Sequence, residues 1–127
     1  VHTDEVGLQV SKVQQVINAA KHQLGVPYVY GGTTPNGFDC SGLVQYVFKQ
    51  IGVNLPRVSQ EQSKVGTYVS VNALQPGDLV FWGGVGTATH VGIYIGNGNY
   101  IHAPEQGENV KISSIQYYRP DFGRRVL

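Results

Sequence analysis

Apolar side chains recur at Val10, Val13, Val16, Ile17, Ala20 and Leu24. This i, i+3, i+4 spacing predicts an amphipathic helix with one buried face, stopped by Gly25 and Pro27. Leu43, Val44, Val47, Phe48 and Ile51 predict a second helix, with Asp39 at its N-cap position and Gly52 at its end. A turn-rich piece over 33–37 lies between the two. Residues 54–66 predict a loop holding a short helix around Ser59, Gln60, Glu61 and Gln62. Residues 1–9 read as a tail or linker, and 10–127 as one domain.

The second half changes period. Residues 79–82 form a continuous apolar run after the turn-forming Pro76-Gly77-Asp78, and predict a buried strand in which Asp78 fixes the turn. Val91, Ile93 and Ile95 alternate, Asn97-Gly98 is a hairpin signal, and residues 99–103 predict the return strand. Residues 110–112 and 124–127 are further strand candidates. Helices followed by an antiparallel meander imply an α+β fold, with the helices on one face of a small sheet.

Composition narrows the class. A chain of 127 residues is long enough to bury a core without disulfides or a metal. Only 13 % of residues are charged and the formal net charge is +1, which argues against disorder and against a polyanion-binding arm. The 17 glycines suit a turn-rich chain with short strands. No apolar run is long enough to span a membrane. The chain starts at Val1 and has no Met, so we expect a processed protein or a domain of a longer one.

Cys40 is the single cysteine, so an internal disulfide and a Cys-rich zinc site are excluded. It lies between a glycine-rich turn and the first turn of the second helix. Backbone N–H groups and the positive helix end stabilise a thiolate there, which predicts a lowered pKa and a nucleophile. The buried stripe begins at Leu43, so Cys40 need not enter the core. A thiolate needs a proton acceptor and a group to orient it. Of the four histidines, His2 and His22 read as solvated. His90 opens one strand and His102 lies near the end of the next. Two-residue closure at Asn97-Gly98 would send them to opposite faces, so a shared site predicts an odd loop or a bulge.

Asp39-Cys40-Ser41-Gly42-Leu43, preceded by Tyr28-Val29-Tyr30-Gly31-Gly32, resembles the NlpC-type bacterial cell-wall cysteine peptidases. So do Leu55-Pro56-Arg57-Val58-Ser59, the run from Pro76 to Trp82, the run from His90 to Gly96, and Tyr100-Ile101-His102-Ala103. Val58 stands where Thr is common, and residues 83–88 carry no substrate signature. The resemblance implies a papain-like α+β fold with the nucleophile at a helix N-terminus. It implies hydrolysis of peptidoglycan stem peptides, usually between γ-D-glutamate and the diamino acid. By motif, Cys40 would be the nucleophile, His90 the base and His102 its orienter. Tyr28, Asp39, Ser41, Arg57 and Ser59 would line the substrate groove, with Arg57 able to fork a stem-peptide carboxylate. A first-turn N–H of Cys40 or Ser41 would serve the oxyanion. Asp39 could also be a plain helix cap, and Ser59 a cap of the short helix.

No cofactor or metal is implied; the expected partner is bacterial peptidoglycan stem peptides, with no nucleic acid, acted on by a monomeric domain of a longer, secreted or wall-associated protein. Rival readings are a Cys/His amidase or acyltransferase, a wall-binding module without catalysis, and a zinc site of Cys40, His90 and His102. A serine hydrolase is weaker, because Ser41 lies in Cys-Ser-Gly without a G-x-S-x-G elbow.

Overall fold

The structure, a computed structural model, describes residues 2–105 and 107–126, and in the first helix the side chains from residue 12 onward. Helix α1 spans His2–His22. It therefore begins ahead of Val10; the side chains of the expected tail over 1–9 lie outside the described residues. Val16, Ile17 and Ala20 are buried as the periodicity predicts, but Leu24 is 40 % exposed. The helix has ended at His22, so Leu24 lies in the turn that leads into Gly25 (φ 88°) and not on the helical face.

Strands β1 (Thr33–Thr34) and β2 (Gly37–Phe38) form a two-residue hairpin in the segment read as a turn. Helix α2 (Cys40–Lys49) follows at once. Asp39 caps it in an extended conformation, its carboxylate accepting from the Gly42 N–H at 2.6 Å. A Cβ on Gly42 would collide with the Gly32 carbonyl oxygen, so the glycine lets the 28–32 segment press against the start of α2. The short helix α3 (Ser59–Gln62) sits where the sequence predicts it.

The main sheet contains β3 (Thr67–Val69), β4 (Leu79–Trp82), β5 (His90–Gly96), β6 (Asn99–His102), β7 (Lys111–Ser114) and β8 (Phe122–Arg125), in the order β3-β8-β4-β5-β6-β7. The expected meander holds only from β4 to β7. Strand β8 returns to pair with β4 on one side and β3 on the other, and it begins two residues before the predicted segment. Asp78 locks this return: it accepts from Gln75 N–H and holds the Arg125 guanidinium at 2.9 and 3.0 Å.

Alternation along the strands separates two faces. Leu79, Phe81, Val91, Ile93 and Ile101 join α1 and α2 in the large core, whose centre includes Val16, Phe38, Leu43, Val47 and Phe48. Val80, Trp82 and Tyr100 form a second, smaller cluster on the other face. Among the described residues no helix is long and apolar enough to cross a membrane.

Candidate active site

Cys40 opens α2 and is partly buried against the large core. The backbone N–H of Val91 bears on its sulfur, as do those of Ser41 and Cys40 itself. The thiol therefore sits against the first residues of β5, the strand that opens with His90. These donors lower the thiol pKa, as expected of a helix start. Burial outweighs them, and with the added Asp39 charge it leaves the Cys40 pKa raised. The expected lowering is thus overturned by desolvation, and the resting group is a thiol at neutral pH.

His90 and His102 share one face of the sheet. The β5–β6 register pairs Ile93 with Ile101 and Tyr94 with Tyr100, then shifts so that Gly96 pairs with Asn99. This bulge supplies the odd residue that the two-histidine reading requires. His90 Nε2 lies 2.8 Å from His102 Nδ1. His90 Nδ1 is then the ring nitrogen left for a thiol. Burial holds His90 down to about 4 and, with His90 and Lys111 adding to it, His102 down to about 3, so both imidazoles are neutral at pH 7. Beyond them, His102 Nε2 lies 2.9 Å from Ser113 Oγ.

The expected groove residues divide. Tyr28 lies beside Cys40: burial raises its pKa and Cys40 and Asp39 add to the shift. Its hydroxyl is a neutral donor there. Asp39, Ser41 and Arg57 form a closed network around Cys40. Arg57 donates to both Asp39 oxygens, at 3.2 and 2.8 Å, and to Ser41 Oγ at 2.8 Å; Asp39 also accepts from Gly31 N–H at 3.1 Å. The Arg57 fork predicted for a ligand carboxylate is therefore engaged with Asp39. Ser59 is not brought to the site. It is buried and donates to the Ala88 carbonyl at 3.0 Å, tying α3 to the loop before β5. Nor does it cap α3, whose N-cap is Val58 without a side-chain bond.

Sequence reasoning missed Gln62 and Ser113. Gln62 is fully buried and donates to the carbonyls of Ser41 and Pro56, fastening α3 to the start of α2. A cleft of about 570 Å³ opens beside the imidazoles, lined among others by Thr89, His90, His102, Glu105, Glu108 and Tyr117. Among the described residues, no group of three or more His, Cys, Asp or Glu is arranged to hold a metal ion. The two imidazoles direct ring nitrogens at each other instead of at a common point.

A thiol at a helix start, packed against the core that holds Val91, and a hydrogen-bonded histidine pair that begins one residue before Val91 suit a thiol hydrolase, and the family model for NlpC/P60 matches residues 25–124. This chain belongs to the NlpC/P60 family. It is a cysteine-peptidase domain of papain-like α+β fold, as the motifs from Tyr28 to His102 imply. It is 47 % identical over 108 residues to Protein P54 of Enterococcus faecium, covering 84 % of this chain and 21 % of P54. It is 44 % identical over 100 residues to a gamma-D-glutamyl-L-lysine dipeptidyl-peptidase of Bacillus cereus, covering 76 % of this chain and 30 % of that protein. The chain thus spans less than a third of either relative. Among solved structures it resembles the NlpC/p60 domain of the peptidoglycan hydrolase SagA, with a TM-score of 0.87 at 43 % identity over 90 % of this chain and 98 % of that one.

Proposed function

We propose that residues 10–127 form a catalytic domain that hydrolyses peptidoglycan stem peptides between γ-D-glutamate and the diamino acid. The observation that carries the reading is the His90–His102 hydrogen bond beside a thiol held at a helix N-terminus. The choice of bond is supported by the likeness to the Bacillus cereus dipeptidyl-peptidase. Cys40 is the nucleophile, His90 the base and His102 its orienter.

The pKa directions select how the reaction starts. With Cys40 raised and His90 lowered, no preformed ion pair is stored. The Cys40 sulfur attacks the amide carbonyl carbon as its proton passes to His90 Nδ1. The developing oxyanion meets the N–H groups of Cys40 and Ser41, first-turn donors with no helical acceptor. His90 then protonates the leaving amine, the C–N bond breaks and a thioester remains. Water, deprotonated by His90, releases the acid and regenerates the thiol. Tyr28, beside the thiol, contacts the substrate. Asp39, Ser41 and Arg57 shape the groove floor by fixing the backbone on both sides of Cys40. The protein acts as a monomer, as one domain of a longer exported, wall-associated protein.

The test is incubation of wild type and Cys40→Ser with purified muropeptides, read by mass spectrometry. Cleavage between D-glutamate and the diamino acid, lost in the variant, is expected. Release of intact stem peptide from sugar would mean an amidase instead. No cleavage by the wild type would overturn the reading.

A further inference from the structure

Helix α3 is a single turn, and the face it buries is polar. Ser59 and Gln62, with Ser63 just beyond them, follow i, i+3, i+4 spacing, and all three are buried. A turn held only by packing would bury apolar side chains there. Each of the three instead bonds to the backbone of another segment. Gln62 Nε2 donates to the Ser41 and Pro56 carbonyls at 3.1 and 2.7 Å. Ser59 Oγ donates to the Ala88 carbonyl at 3.0 Å, and Ser63 Oγ accepts from the Gly86 N–H at 2.7 Å. Carbonyls only accept and a backbone N–H only donates, so each direction is fixed by the partner.

The two ends of this set fall on the two halves of the candidate site. Ser41 follows Cys40 directly, and Ala88 lies two residues before His90. The Ser41 carbonyl belongs to the first turn of α2, where a helical N–H four residues on already has it as acceptor. The bond from Gln62 is therefore a second one, which the two lone pairs allow; it adds position instead of satisfying an orphan. Gln62 Oε1 is meanwhile buried without a hydrogen-bond partner among the described residues. A dry acceptor costs stability, so an apolar side chain would serve the fold alone better than this amide.

We propose that α3 is a strap that sets the approach of the Cys40 thiol to His90, with Gln62 and Ser59 as positioning residues at its two ends. This rests on the reading of Cys40 as the nucleophile and His90 as the base. Gln62 and Ser59 are both buried and touch no substrate, so the strap acts on turnover and not on substrate affinity.

Cys40 is the single cysteine, so alkylation by iodoacetamide reads its thiol alone. In that step the sulfur attacks the methylene carbon, iodide leaves and His90 takes the thiol proton. The experiment measures alkylation rates at pH 7, and kcat and KM on muropeptides, for wild type, Gln62→Met, Ser59→Ala and the double variant. Each single variant is expected to slow alkylation and kcat at least about tenfold, with KM little changed. Both changes cut one strap, so the double variant is expected to lose no more than the worse single one. In a His90→Ala background neither change should slow alkylation further. A general loosening of the fold would instead expose the thiol and speed alkylation. Thermal melts check folding, and Gln62→Leu replaces Gln62→Met should the latter unfold. Wild-type rates in either single variant, losses that multiply in the double variant, or a wild type alkylated no faster than His90→Ala would overturn the strap. The expected alkylation pattern in an enzyme that cleaves no muropeptide would support the strap and overturn the peptidase reading alone.

Discussion

Arg57 grips both carboxylate oxygens of Asp39, the residue immediately before Cys40. The pair reaches across eighteen residues of sequence and closes over Ser41 as well. Asp39 is nearly enclosed, whereas the Arg57 side chain is 36 % exposed, so solvent screening trims the Coulomb gain. The fork geometry supplies register more than energy.

Removing the two partners should therefore have unequal effects. Arg57→Lys loses the fork but leaves Asp39 capping α2, and should cost about 1 kcal/mol or less in urea unfolding. Asp39→Ala strips the cap and leaves Gly31 N–H, Gly42 N–H and Arg57 without their acceptor. It should cost at least about 2 kcal/mol. Equal losses in the two variants would contradict the division of roles.

Cys40→Ala should abolish turnover while keeping the fold, because Cys40 precedes the fully buried stripe that starts with Leu43. The loss of stability should stay within about 1 kcal/mol, since Cys40 is only partly buried. Residual hydrolysis in this variant would remove Cys40 as nucleophile.

His102→Ala should slow hydrolysis by about 10²-fold or more without erasing it, because an orienting group acts through the base. The measure is kcat on a muropeptide beside a thermal melt. His102 is 4 % exposed, so a cavity will also lower stability, and His102→Asn serves as the variant that refills it. Wild-type rates in both variants would place His102 outside the chemistry.

Acid should unfold this domain through its imidazoles. Folded His90 and His102 titrate near 4 and 3 against an ordinary value of 6.5, so the unfolded chain binds more protons between those limits. Stability then falls as pH drops below 6.5, by about 2 kcal/mol per imidazole at pH 5. Urea midpoints at pH 7 and pH 5 measure this. The doubly substituted His90→Asn, His102→Asn protein should lose most of the difference. A wild type equally stable at the two pH values would mean that the imidazoles are not buried neutral.

Much of the site was legible because it is local. Asp39 at a cap position, a thiol one residue later and an apolar stripe from Leu43 specify a helix N-terminus without any long-range information. The face alternation of a hairpin is local too, and it was enough to demand the bulge later found between Tyr94 and Gly96. What lay beyond reach depends on pairings between distant strands. Strand β8 beside β4, and Ser113 across from Tyr100, follow from registers that no short-range period encodes. Arg57 was legible as a fork but not as one already engaged with Asp39. The sign of the Cys40 shift was missed because burial is set by the packing of α2 against β5, and it outweighs the helix end.

The bulge at Tyr94–Gly96 also restricts how this hairpin can change in length. Inserting or deleting one residue between His90 and His102 reverses the parity of everything after it and turns His102 toward the helices. Changes of two residues leave its face unaltered. Natural or engineered variation in this hairpin should therefore come in even steps, and a library of loop lengths should show activity alternating with each added residue.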